Sequence, residues 1–139
     1  AVEIEDNKPR FATMRQVGCL SAAEIHSTFT GHLQEDWVVR TDGWPSYGIF
    51  DSAQGEHQPV VTGSGRDAVK LLPWVHTVIA NVKGNIRGVY HGVSSKHLSR
   101  YLAEFSYRFN RRFWESQMFD RMLTACLATN TIGYSELRQ

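Results

Sequence analysis

The stretch from Leu72 to Arg112, LPWVHTVIANVKGNIRGVYHGVSSKHLSRYLAEFSYRFNRR, constrains this chain more than any other. Val75, Val78, Ile79, Val82 and Ile86 recur at helical spacing, which predicts a helix with one apolar stripe turned to a core. His76, Lys83 and Arg87 are offset by seven and eleven residues. At about 100° per residue these offsets bring all three within roughly 40° of one another, beside the stripe. Such a helix offers metal-ligand and phosphate chemistry at the edge of a core. Pro73 suits its first turn and Gly88 its end.

A second helix follows, with Ser94 as its expected cap and Leu98, Tyr101, Leu102, Phe105 and Phe109 as its buried stripe. From Lys70 to Arg112 there are eight Lys/Arg and a single acid, Glu104, whereas residues 1–69 hold five Lys/Arg and ten Asp/Glu. The net charge of +1 hides this split. A basic half interleaved with Tyr, Phe and Trp points to a phosphate backbone as partner. A charge run by itself reads better as a solvated helical face, and it is the His/Lys/Arg row that keeps the phosphate reading in play.

The segment VKGNIRGVYHGVSSKHLSRYLAEFSYRFNRR resembles the C-terminal part of a bacterial insertion-sequence transposase catalytic domain of the DDE superfamily. The group it resembles uses two Asp, a variable third ligand (Asn, Glu or His) and a Lys. The resemblance extends back to Thr41-Asp42-Gly43-Trp44 and more faintly to the N-terminus. It implies a ribonuclease-H-like (retroviral-integrase-like) α/β fold, double-stranded DNA as partner (transposon ends and target), and Mg²⁺ or Mn²⁺ as cofactor. It also implies homo-oligomers in the complete protein. The chemistry implied is two-metal phosphoryl transfer, in which carboxylates hold metals about 3.5–4 Å apart for in-line attack on a phosphodiester.

At 139 residues the chain is expected to be a single domain. The N-terminus opens on alternating acids rather than a signal peptide, and no run approaches a membrane span. With only Cys19 and Cys126, isolated and expected to be buried thiols, neither a zinc ribbon nor a disulfide framework is encoded. A cytoplasmic location follows as an expectation. Val2 and Ile4, the turn residues Asp6-Asn7-Lys8-Pro9, and Phe11 to Val17 predict a β-hairpin. Ser21-Ala22-Ala23-Glu24 is a capping box opening a helix that buries Ile25, Phe29 and Leu33. Trp37 to Thr41 reads as a strand, Tyr47 to Phe50 as a turn of helix, and Pro59 to Thr62 as an edge strand inside a Gly/Ser/Gln-rich loop. Helices are expected at about 67–87, 94–111 and 116–128. The last of these would carry Met118, Phe119, Met122, Leu123, Cys126 and Leu127 on one side. Helices thus gather in the C-terminal half, as in a ribonuclease-H-like fold lacking its first strand.

Asp42 follows a strand and precedes Gly-Trp-Pro, a place where open α/β sheets bind ligands and metals, and equally a place for an Asx turn. The resemblance makes it the second catalytic Asp and metal ligand, His76 the variable third ligand, and Lys83 the catalytic Lys. An imidazole suits Mg²⁺ less well than oxygen does, so positioning of a water or a phosphate oxygen stands open for His76. Arg87, His91, Lys96, Arg108 and Arg111 are expected DNA contacts, and Asn110 is either a helix cap or a further contact. His57 resembles a His that follows the second Asp in related sequences, and Trp74 reads as core. The family's first catalytic Asp sits on a first strand that this chain is expected to lack, with Asp6 an outside candidate. The domain therefore reads as N-terminally incomplete and the chain as an inactive copy, the alternative being a non-catalytic DNA-binding remnant.

Overall fold

A computed structural model describes residues 1–29, 31–33, 36–52, 55–61, 69–133 and 135. Its first element is a hairpin. Asp6 and Asn7 take positive φ, 49° and 58°, the two-residue turn whose twist matches that of the flanking strands. Strand β1 (Val2–Glu5) pairs antiparallel with β2 (Lys8–Ala12), with Glu5 opposite Lys8 and Ile4 opposite Pro9. The return strand stops at Ala12, short of the expected Val17. Between the Val2–Ala12 and Ile4–Pro9 pairs β2 has one residue more than β1, a bulge.

The capping box works as its spacing implies: the Glu24 N–H donates to Ser21 Oγ at 3.2 Å. It opens α1 (Ala22–Phe29), which buries Ile25; Leu33 lies beyond its end. Strand β3 (Val38–Thr41) runs parallel to β4 (Glu56–Pro59), Val38 opposite Glu56 and Thr41 opposite Pro59, with a 3-10 helix (Pro45–Ser52) between them. The edge strand thus begins three residues before the expected Pro59, and Thr62 lies outside the described residues. Gly55, at φ +144°, lies against the Trp37 ring, leaving no room for a Cβ. Among the described residues the strands form two separate two-stranded sheets.

Helix α2 (Pro73–Gly88) starts with Pro in its first turn, after a helical turn at 69–71; the expected start at 67 lies outside the described residues. It packs on β1, β2 and α3 (Leu98–Asn110) rather than on the sheet that carries Asp42. Val78 and Val82 are buried and Val75 and Ile86 half-buried, but Ile79 is 42% exposed, because the hairpin and α3 cover a narrower arc than the five apolar residues span. No side chain caps α3, which begins at Leu98 rather than near Ser94. Its stripe, expected to be buried, is only half-buried, because the helix packs mainly on β2 with little else over it. After a short 3-10 turn, α4 (Glu115–Ala128) leaves its apolar side in solvent: Phe119 is 75% and Leu127 80% exposed. Cys19 and Cys126 are exposed too, against the expectation of burial, since neither the loop nor α4 has a layer over it. The buried apolar side chains among the described residues are Ala12, Ile25, Phe50, Val78 and Val82. The accessible surface, 10488 Å², exceeds the roughly 7,300 Å² of a compact monomer of this mass.

Candidate functional site

The end of β3 is held by an aromatic knot. Phe50, nearly fully buried, meets Phe29, Trp37 and His57 at ring-centroid distances of 5.3, 5.7 and 5.7 Å and stacks with Tyr47 at 6.3 Å. These contacts fix the His57 ring, which links two neighbours. Its Nδ1 is 2.5 Å from Asp51 Oδ1, and its Nε2 is 2.9 Å from Thr41 Oγ1. A carboxylate can only accept, so Nδ1 carries a proton. Thr41, the residue before Asp42, is buried, and its Oγ1 also accepts from the Gly43 N–H at 3.3 Å. The chain Asp51–His57–Thr41 therefore anchors the backbone on both sides of Asp42. Sequence reading left His57 at the margin. Its signal is the parallel register that sets Thr41 beside the His57 segment.

Asp42 itself is exposed and accepts from the Trp44 N–H at 3.2 Å, closing an Asx turn. Gly43 makes this turn possible: its φ is +76°, and a Cβ there would meet Val61 Cγ2 at 3.2 Å. One carboxylate oxygen is committed to the turn, and the carboxylate stays open to solvent. Burial first, and then the Asp42 charge, raises the Tyr47 phenol above its ordinary value.

The other expected site residues lie elsewhere on the chain. His76 is half-buried on α2, and Lys83 and Arg87 project from the same helix into solvent. Among the described residues no hydrogen bond or ion pair joins Asp42 to His76 or Lys83. Nor do any three His, Cys, Asp or Glu converge as a metal site requires. One exposed carboxylate and one imidazole do not fit a Mg²⁺ pair, which demands several oxygen ligands. Asp6 stands in the hairpin turn.

The basic half is partly committed to the fold. His91, at φ +55°, and Lys96 are exposed, and Arg108 pairs with Glu104 at 3.5 Å. Tyr90 donates to Glu104 Oε2 at 2.7 Å, and that bond leads the causes that raise its pKa. Arg111 lies over the Tyr107 ring at 3.7 Å. Asn110 neither caps a helix nor faces outward. Its Oδ1 accepts from the Ala12 N–H at 2.7 Å and its Nδ2 donates to the Ala12 carbonyl at 3.0 Å, so one side chain replaces a neighbouring strand. Arg112 donates to the carbonyls of Pro9, Arg10 (3.0 Å) and Phe109 (2.6 Å), between the rings of Phe109 and Phe113. The bulge explains how carbonyls of two consecutive β2 residues reach one guanidinium. Trp74, read as core, is half-buried instead, donating from Nε1 to the Asn7 carbonyl at 3.1 Å at the surface.

Comparison with protein families gives a match to the ISXO2-like transposase domain over residues 1–110, which takes in the hairpin, both sheets, α2 and α3. No curated protein and no solved structure matches the chain. No helix among the described residues is long and apolar enough to cross a membrane.

Proposed function

Because the chain belongs to the ISXO2-like transposase domain family, insertion-sequence transposases of the DDE type, we propose that it serves DNA transposition by phosphoryl transfer. It would do so as a catalytic-domain segment that does not cleave DNA alone. In the complete domain Asp42 would supply one metal-binding carboxylate, with His76 and Lys83 as third ligand and phosphate contact. Mg²⁺ or Mn²⁺ would enter once a second carboxylate is supplied, and complete assemblies would be multimeric on DNA ends.

The observation that carries the reading is the state of the four strand edges. The outer edge of β2 is occupied by Asn110 and Arg112. On β4 the outward positions include Pro59, which has no N–H to pair. Trp37 and Thr41 give their carbonyls to β4, so in a parallel pair the backbone groups of Val38 and Arg40 point the other way. Likewise Ala1 bonds to β2, and Val2 and Ile4 point away from it. Among the described residues no strand pairs with either of these edges. One strand between β1 and β3 would join both sheets in the order β2, β1, strand, β3, β4, the arrangement expected of a ribonuclease-H-like fold whose first strand is not in this chain. The enlarged surface and small core support the same reading.

DNA binding through phosphates tests the partner. Affinity is expected to fall steeply with salt and to show little sequence preference. Replacing Lys83 and Arg87 by Ala is expected to reduce the salt slope by roughly 1 to 2 units. An unchanged slope would leave both as ordinary solvated charges.

A further inference from the structure

Between the hairpin and the start of α4 lies a cavity of about 400 Å³, lined by Phe11, Asn110, Arg111, Trp114 and Arg121. That is within the range of about 300–1,000 Å³ usual for small-ligand sites. Among the described residues two guanidinium groups line it and no carboxylate does. Among the described residues neither Arg111 nor Arg121 is in an ion pair. A guanidinium has five N–H donors, and both leave donors unused. Arg121 directs Nε and one terminal nitrogen to the same Gln117 Oε1, at 3.3 and 3.1 Å. Arg111 reaches the Tyr107 carbonyl only at 3.5 Å, and its buried Nε has no hydrogen-bond partner. The Asn110 amide is already occupied by Ala12. What remains is cationic, donor-only capacity beside the indole of Trp114, which is 39% exposed.

We infer that this cavity is a nucleotide subsite. Arg111 and Arg121 take one phosphodiester of a DNA strand, and its unpaired base lies against Trp114. Paired guanidiniums suit phosphate oxygens, and an aromatic face accepts any base. Arg111, Trp114 and Arg121 lie beyond the 1–110 family match, while Phe11 and Asn110 lie within it, so the site straddles the edge of that family's shared domain. The inference rests on the proposed DNA partner for the identity of the polyanion.

The test uses the 139-residue chain and the dinucleotide pTpT, read by NMR on the Trp indole N–H signals, with Trp114→Ala identifying the signal of Trp114. The expected result is a saturable shift of that signal, with binding, followed in all variants at the Arg Nε–H signals, about tenfold weaker in Trp114→Ala and in Arg121→Gln. Arg121 is exposed, so its replacement leaves the fold intact; Arg111→Gln, which also loses the Tyr107 stack, is compared only if its far-UV dichroism is unchanged. No shift at Trp114 with pTpT overturns the subsite. Inorganic phosphate binding as tightly as pTpT overturns it too, leaving a bare anion site. Duplex binding that persists while Trp114 is silent overturns the subsite and spares the DNA reading. A pTpT shift without duplex binding does the reverse.

Discussion

Asn110→Ala isolates the most consequential long-range contact in the chain. The Asn110 amide serves both backbone groups of Ala12 across 98 positions of sequence, and Ala12 is 1% exposed, so water cannot replace it. Truncation leaves one buried donor and one buried acceptor unpaired, at about 1–3 kcal/mol each. Allowing partial relaxation, the loss is about 2–4 kcal/mol, a large share of the 5–15 kcal/mol that typically holds a domain. Asn110→Leu keeps the volume and removes both hydrogen bonds, so it is expected to be as damaging as Ala. The assay is urea denaturation followed by far-UV dichroism, with hydrogen exchange at the Ala12 amide. Wild-type-like stability within about 0.5 kcal/mol for both variants, with slow Ala12 exchange retained, would refute the reasoning. Recovery by Leu alone would mean that packing, not hydrogen bonding, matters there.

Arg112→Lys is expected to cost about 1–3 kcal/mol in the same denaturation assay, because an ammonium cannot span three carbonyls while lying between two rings; an unchanged midpoint contradicts this. ¹⁵N spectra of neutral His57 are expected to show the Nδ1-protonated tautomer, and Asp51→Asn to redistribute it; an Nε2-H tautomer in the unmodified chain would leave Nδ1 with no proton to give Asp51 and break the Asp51–His57 link. Tyr47 is expected to ionise above its ordinary value of 10.0, moving back toward it in Asp42→Asn, by ultraviolet titration against Tyr47→Phe. Its folded pKa is raised, so its contribution to stability is complete below the unfolded pKa and is lost as pH climbs through the folded one. A Tyr47 pKa indifferent to Asp42→Asn would place the two groups further apart than the structure has them.

What the sequence made legible is what local chemistry decides. Asp6-Asn7 can hold positive φ, Ser21 and Glu24 form a cap, and Asp42-Gly43 ends a strand in an Asx turn; each depends on neighbours a few residues away. The family resemblance was equally legible, since the quoted segment is long. Asn110 was not, because the side chain that could cap its own helix instead serves a strand at the far end of the chain. The β4 segment, Glu-His-Gln-Pro, has little strand character of its own and is extended through its pairing with β3. Periodicity in α4 and at Ile79 identified side chains able to be buried, but burial also needs a surface to receive them. The site was legible only in part for the same reason: Asp42 announces itself, whereas the Asp51–His57–Thr41 chain needs the parallel register to exist.

On the function proposed above, Asp42 is one carboxylate of a transposase site and the second belongs to a strand between β1 and β3. Strand cleavage of a labelled DNA duplex in Mn²⁺ or Mg²⁺ tests it most directly. It would compare the 139-residue chain with one extended by an Asp-bearing strand, and the extended chain with its Asp42→Asn variant. The account predicts no cleavage by the chain alone, cleavage by the extended chain, and its loss in Asp42→Asn. Robust metal-dependent cleavage by the 139-residue chain alone would contradict it.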